Sequence, residues 1–477
     1  MEREDRSVNP REDGQRKDDS KGKLSTPRLT PARQKQRAPQ QQAVEVSRAE
    51  EGPVSVSPEL SNWIKLNSKN LKIRQTDRSW AAEVVNDFRD NLLKFLRSNS
   101  DQPLFRKAEF LTTGSYFEKV KIHSPDEFDM MLKLQAPSRL DMKELDGGLF
   151  YRIDFSRPTR SQSPIQAFLL ENERTLSSSK ILNEMYRLVR KFLKTYKVPD
   201  KRCYWEVNRK RPNTPAVTLS LLRTEGNSDE LISVDVVPAL EVHPCQGWPL
   251  AARNGPAVDN WLGKKVRQEI KSLPCYFVPK RIKGRNLGED AKGERNICLL
   301  LLLNFIKSKQ CLMLLKSLIE GLKQRYPKEL HDLCSYHGKT AFLHTLSIRF
   351  SDSMWDRQQL PACFMHLLGA LENHACQGDL PHFFVPNCNL FSPAVFPRKA
   401  LDFLVKALEE QRMEGLPLLK PATPVPPLRL INTPSEDAST EMSTYNPSTG
   451  AVYSVAFMKK LAVVFAIASA LVIFLCK

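Results

Sequence analysis

The chain opens without an apolar stretch. Its first ten residues, MEREDRSVNP, are charged, and the lack of a hydrophobic core segment there predicts no secretory signal. Residues 1–57 contain no aromatic residue and no periodic apolar pattern. Such a composition cannot bury enough surface to offset its conformational entropy. The segment is expected to be a disordered, mildly basic arm, either a loose contact for a polyanion or a solvated tail. Cysteine is too sparse for a disulfide scaffold, at ten in 477 residues, so a reducing compartment, cytosolic or nuclear, is expected. Acidic residues are in the minority: 54 Asp and Glu face 72 Lys and Arg, a formal net charge of +18. That imbalance points to nucleic acid or an acidic membrane surface as partner. No internal repeat is visible.

What is present begins at Pro58. Trp80, Val84, Val85, Phe88, Leu92, Leu93, Phe95 and Leu96 recur at helical spacing, which predicts an amphipathic helix of roughly 20 residues packed on the core. Strand-like segments follow at Phe128–Leu134, Tyr151–Phe155, Val217–Leu222 and Leu231–Leu240, with a helix, Ser179–Thr195, among them. Beyond Gly263 the strands are expected to stop. Helical patterns then cover Trp261–Ile270, Ile297–Lys307, Cys311–Arg325, Lys339–Leu346, Pro361–Asn373 and Arg398–Arg412. The reading is an α+β chain, with a mixed lobe at 58–262, a helical lobe at 263–415 and a Pro/Ser/Thr-rich linker at 416–456.

The sharpest local signal is Gly114-Ser115, then eleven residues, then Glu127-Phe128-Asp129. On a strand, side chains alternate faces, so Glu127 and Asp129 point the same way. Paired carboxylates repel, and a divalent cation between them removes that cost; oxygen ligands suit Mg²⁺ or Mn²⁺. A third acid, Asp235, interrupts the apolar strand Ile232–Val237, and the turn-like Glu225–Asp229 joins that strand to the preceding one as a hairpin. Three acids on adjacent strands can hold two ions about 3.5–4 Å apart for an in-line phosphoryl displacement. Gly114 and Ser115 offer close backbone approach, a hydroxyl and an amide to a triphosphate. Alone, Glu-x-Asp is more often an exposed strand face and Gly-Ser a common turn. Together they favour a nucleotidyltransferase.

Longer motifs then carry a resemblance. Thr113–Phe117, Glu127–Asp129, Thr214–Leu219, Ser233–Asp235, Tyr276–Lys280, Ser335–Phe342, Trp355–Arg357 and Asn389–Ser392 run in order through residues 60–415. They resemble the cyclic GMP-AMP synthase family, in the Mab-21-like branch of the nucleotidyltransferases. The resemblance implies a bilobal fold in which a twisted mixed sheet with a long spine helix faces a helical lobe. ATP and GTP would bind between the lobes, and the GTP 2′-hydroxyl would attack the ATP α-phosphorus before a second, 3′–5′ bond closes the ring. Glu127, Asp129 and Asp235 match the ligands of two Mg²⁺ ions, Ser115, Lys316 and Ser335 match triphosphate contacts, and Tyr336 matches the base-stacking tyrosine. Double-stranded DNA would order the loop Gly114–Lys121 and bind through phosphates, independent of sequence and weakened by salt. Lys72, Arg74, Lys280 and Lys309 are candidate contributors, and a homodimer on DNA is implied. The alternatives are a relative with another trigger, such as double-stranded RNA, or another product, and a catalytically impaired nucleic-acid-binding scaffold.

The chain departs from the family between Gly293 and Lys316. No histidine lies between His243 and His331, and only Cys298 and Cys311 are present, so no zinc site is expected there and both cysteines read as core residues. The family's guanine-holding Trp-Arg-Leu-Ser-Phe-Ser segment is also missing. At the other end, Leu461–Cys476 is an apolar run of sixteen residues behind Lys459 and Lys460. At roughly 24 Å it is short of a hydrocarbon core of about 30 Å, and residues 457–477 read either as a tail anchor in a thin membrane or as a terminus with no such use.

Overall fold

The computed structural model describes residues 55–419, apart from 99–100, 113, 137–138, 146–147, 157–162, 212–213, 226–228, 243–245, 281–296, 301–308, 349–354 and 356. The expected basic arm up to residue 54, the linker from residue 420 and the apolar run Leu461–Cys476 lie outside the described residues. No helix among the described residues is long and apolar enough to cross a membrane.

Helix α1 (Pro58–Asn70) starts where the composition changes, with Ser57 as its N-cap accepting from the Leu60 amide and Pro58 fixing the first turn. Helix α2 (Gln75–Ser98) is the predicted amphipathic helix, 24 residues long. It buries Ala81, Val84, Val85, Phe88, Leu92 and Leu96, three or four residues apart. Phe88 meets Phe192 of α4 (Ser178–Leu193) edge-on, with centroids 5.8 Å apart.

The sheet holds nine strands in the order β1-β2-β7-β8-β9-β4-β3, with β6 also on β7 and β5 on β6. They are β1 (Glu109–Thr112), β2 (Glu127–Gln135), β3 (Leu140–Leu145), β4 (Phe150–Phe155), β5 (Cys203–Val207), β6 (Val217–Arg223), β7 (Glu230–Glu241), β8 (Tyr276–Pro279) and β9 (Ile297–Leu300). All named pairs are antiparallel except β2 with β7. The predicted hairpin is β6–β7. β7, at twelve residues, is long enough to carry β6 along its first half and β8 at its far end.

The strands do not stop at Gly263. β8 and β9 pair beyond it, and Ile297–Leu300, read above as the start of a helix, is a strand. A short apolar run satisfies both periods, and pairing with Tyr276–Pro279 decides between them. The remaining helices are α3 (Gly114–Phe117), α5 (Asp259–Ser272), α6 (Lys309–Arg325), α7 (Ser335–Ile348), α8 (Leu360–Gln377) and α9 (Arg398–Met413). α6 and α7 approach closely: a Cβ added at Gly338 would lie 2.7 Å from Ile319 Cδ1 and 3.1 Å from Leu315 Cδ2. Cys311 is fully buried in α6. The architecture is α+β, a mixed twisted sheet with a long helix on it, followed by helices.

Candidate active site

The three acids share one face of the sheet because β2 and β7 run parallel in one register. Asp129 is the direct partner of Asp235, and Glu127 of Ser233. Partners in register present their side chains on one face, and Glu127 shares that face two residues along. On the other side of Asp235 lies Thr218 of β6, whose Oγ1 donates to Asp235 Oδ1 at 2.6 Å. Glu127 is met by Lys121, whose Nζ is 2.9 Å from its Oε2 and 3.0 Å from Asp126 Oδ1.

This face is electrostatically costly. Burial, then the charges of Asp235, Glu127 and Glu118, push the Asp129 carboxyl up to about 8. An ordinary Asp titrates near about 4, so the folded chain holds a proton there that the unfolded chain has lost. The associated stability is complete at low pH and falls as pH rises toward 8. Asp129→Asn should therefore stabilise the metal-free protein by an amount that grows from pH 5 to pH 8, reaching on the order of a few kcal/mol. Added Mg²⁺ should narrow that gain. Urea unfolding at several pH values measures it, and a gain independent of pH would contradict the assigned cause. The donor set, carboxylate oxygens under mutual repulsion, fits Mg²⁺ or Mn²⁺. Among the described residues, however, no three His, Cys, Asp or Glu groups already converge as a formed metal cluster.

Gly114 opens α3 with φ +89°, and a Cβ there would fall 2.8 Å from Asp129 Cβ. The glycine thus permits both the backbone turn and the approach of the Gly-Ser segment to the acids. Next to it, Ser115, Lys316, Ser335 and Tyr336, four residues expected to contact nucleotide, line one cleft together with Val120, Leu312 and Lys339. The cleft is nearly shut, about 10 Å³, barely the space of one water. Lys316 Nζ reaches Ser115 Oγ at 3.2 Å and the Val120 carbonyl at 3.1 Å. Burial, then the charge of Lys121, holds the Lys316 ammonium down to about 8.

A buried ion pair adjoins the cleft through Lys339. Lys339 forms a buried ion pair with Glu118, the side chains 9% and 4% exposed, and the other carboxylate oxygen, Oε1, is buried without a partner. Burial pushes the Glu118 carboxyl up despite that pairing. Lys339 lies one helical turn after Ser335, a spacing that places both on one face of α7 and that could have revealed it. Glu118 carried no local signal, and Thr218 stood only inside the Thr214–Leu219 motif.

The candidate phosphate-binding cations are not alike. Lys72 and Arg74 are exposed in the connection between α1 and α2. Lys280 is half-buried at the end of β8. Lys309 is turned onto the loop, donating to the Glu118 carbonyl at 2.8 Å, so it ties loop to helix in this state.

Residues 116–299 match the Mab-21 protein nucleotidyltransferase domain and residues 307–410 the Mab-21 protein HhH/H2TH-like domain. The cyclic GMP-AMP synthase of Mus musculus is 36% identical over 365 residues, covering 73% of this chain and 68% of its own. That of Sus scrofa is 32% identical over 371 residues, covering 73% and 71%. A cyclic GMP-AMP synthase-like receptor of Magallana gigas is 24% identical over 371 residues, covering 74% and 58%.

Proposed function

The chain belongs to the Mab-21 nucleotidyltransferase family, alongside the cyclic GMP-AMP synthases, and from that premise we propose that it joins ATP and GTP into cyclic GMP-AMP when double-stranded DNA engages it in the cytosol or nucleus. The observation that carries the reading is the register of β2 on β7, which sets Asp129 beside Asp235 with Glu127 on the same face. Glu127, Asp129 and Asp235 would hold two Mg²⁺ ions, which when bound neutralise charge on the transferring phosphoryl oxygens.

The remaining work falls to side chains of this chain. Ser115, Lys316, Ser335 and Lys339 face one cleft and would grip the triphosphate of the donor nucleotide. Tyr336, in the same cleft, would stack on a base. In the first step the GTP 2′-hydroxyl bonds to the ATP α-phosphorus and pyrophosphate leaves. In the second, a 3′-hydroxyl displaces the other pyrophosphate and closes the ring. The shut cleft supports control by an activator: the 114–121 segment must move before a triphosphate fits. Lys72 and Arg74, being exposed, would contribute to phosphate contacts with duplex DNA.

A second reading has its own support. Gly293–Lys316 lacks the Trp-Arg-Leu-Ser-Phe-Ser segment, which favours a different base choice or trigger. Incubation of the purified chain with ATP, GTP and Mg²⁺, with duplex DNA, duplex RNA or neither, separates the cases. Cyclic GMP-AMP with DNA alone is expected, declining steeply as salt is raised. Product with RNA alone selects the second reading, and no dinucleotide under any condition leaves a binding scaffold.

A further inference from the structure

Tyr336 enters the cleft from the first turn of α7, and its hydroxyl is held from behind. The oxygen lies 2.9 Å from Nε2 of His382, and the two residues are 4% and 2% exposed. The other ring nitrogen of His382, Nδ1, faces the amides of Phe384 at 3.3 Å and Val385 at 3.1 Å. An amide N–H only donates, so Nδ1 is the acceptor and carries no proton. Burial holds the imidazole down to about 3, so it is neutral and its single proton sits on Nε2. His382 therefore donates to the Tyr336 oxygen.

The turn that carries His382 is braced in turn. The His382 amide donates to the Cys388 carbonyl at 2.8 Å. Asn389 Oδ1 accepts from the Leu380 and Phe391 amides at 2.9 and 2.8 Å, while its Nδ2 donates to the Gly378 carbonyl at 2.8 Å. Phe391 lies flat on His337, next to Tyr336, with centroids 5.4 Å apart and planes at 17°. The motif Asn389–Ser392, which the reaction chemistry leaves unexplained, thus builds the wall behind Tyr336.

We propose that His382 is a positioning residue for Tyr336: its Nε2–H, aimed by the Asn389-braced turn, sets the plane on which a nucleotide base stacks and so governs affinity for the nucleoside part of the substrate. This rests on the proposed role of Tyr336 as a base platform. A ring held at both Cβ and Oη offers one plane. A ring released at Oη must be ordered again when the base arrives, and that cost falls on binding.

Calorimetry of the full chain with Mg²⁺ and duplex DNA, titrated with ATP or with inorganic tripolyphosphate, provides the test, together with KM and kcat for ATP. Tyr336→Phe removes the acceptor but keeps the ring, His382→Phe removes the donor, and His382→Gln restores one. Tyr336→Phe and His382→Phe should each weaken ATP by about three- to tenfold, the worth of one hydrogen bond. Tripolyphosphate affinity should hold in both, kcat should hold in His382→Phe, KM should rise by the same factor, and the double variant should lose no more than either single one. His382→Gln should recover most of the loss. Equal weakening of both ligands, additive losses, or wild-type ATP affinity in Tyr336→Phe would overturn the proposal; the last variant decides alone if His382→Phe does not fold. Tyr336→Ala tests the underlying role: unchanged ATP binding there removes the platform itself, whereas a loss there without one in Tyr336→Phe keeps the platform and removes His382.

Discussion

Asp235→Asn is expected to lower dinucleotide formation by at least about a thousandfold, several kcal/mol of transition-state stabilisation. Asp235 is an interior residue of the longest strand, between Asp129 on β2 and Thr218 on β6. Asparagine keeps the shape and can still meet the Thr218 hydroxyl, so the sheet should persist. What disappears is one of three carboxyl groups on a single face. Duplex DNA binding should stay close to wild type, because the exposed candidates Lys72 and Arg74 lie in the connection between α1 and α2. Product measured by chromatography and DNA binding measured by anisotropy give the comparison. Parallel loss of both would mean that Asp235 maintains the fold, and the assignment of the acids would fail.

Lys339→Met is expected to destabilise the protein by about 3–5 kcal/mol, the cost of leaving a buried charge without its partner. Glu118 would keep a buried carboxyl group with one oxygen already unpartnered, and the tie from Lys309 goes to its backbone carbonyl. The same physics predicts recovery: the double variant Glu118→Met, Lys339→Met should regain most of the stability, since two apolar chains of similar volume fill the space without desolvated charge. Urea midpoints of the four proteins close the cycle. A single variant as stable as wild type would show that the pair is more open to water than its burial indicates. The recovered double variant should still be a poor enzyme, because Lys339 lines the candidate triphosphate cleft.

The fold class was legible because long apolar periods dominate it. α2, α4 and α6 each repeat buried residues over four turns or more, and β2 and β7 place acids inside otherwise apolar runs. Other strands were silent for identifiable reasons. β3, LDMKEL, buries only Leu140 and so shows no apolar face to read. β9 is a piece of an apolar run that suits either period. The acids were readable because period two and a hairpin are local rules. The Glu118–Lys339 pair spans 221 positions, and no local rule relates such residues. His382 was equally hidden: its role comes from a turn that folds Pro381–Asn389 back behind α7.

The stitching of residues 114–121 has a kinetic corollary. Lys316 grips that stretch at two points and Lys309 and Lys339 at two others. Undoing one tie leaves the rest in place, and undoing all exposes one carboxylate and three ammonium groups at once. Intermediate openings are thus unrewarded, and two-level behaviour is the expected outcome. Dwell-time records from a fluorophore on this stretch should show two discrete levels, with an activator changing how long each lasts and not where each lies.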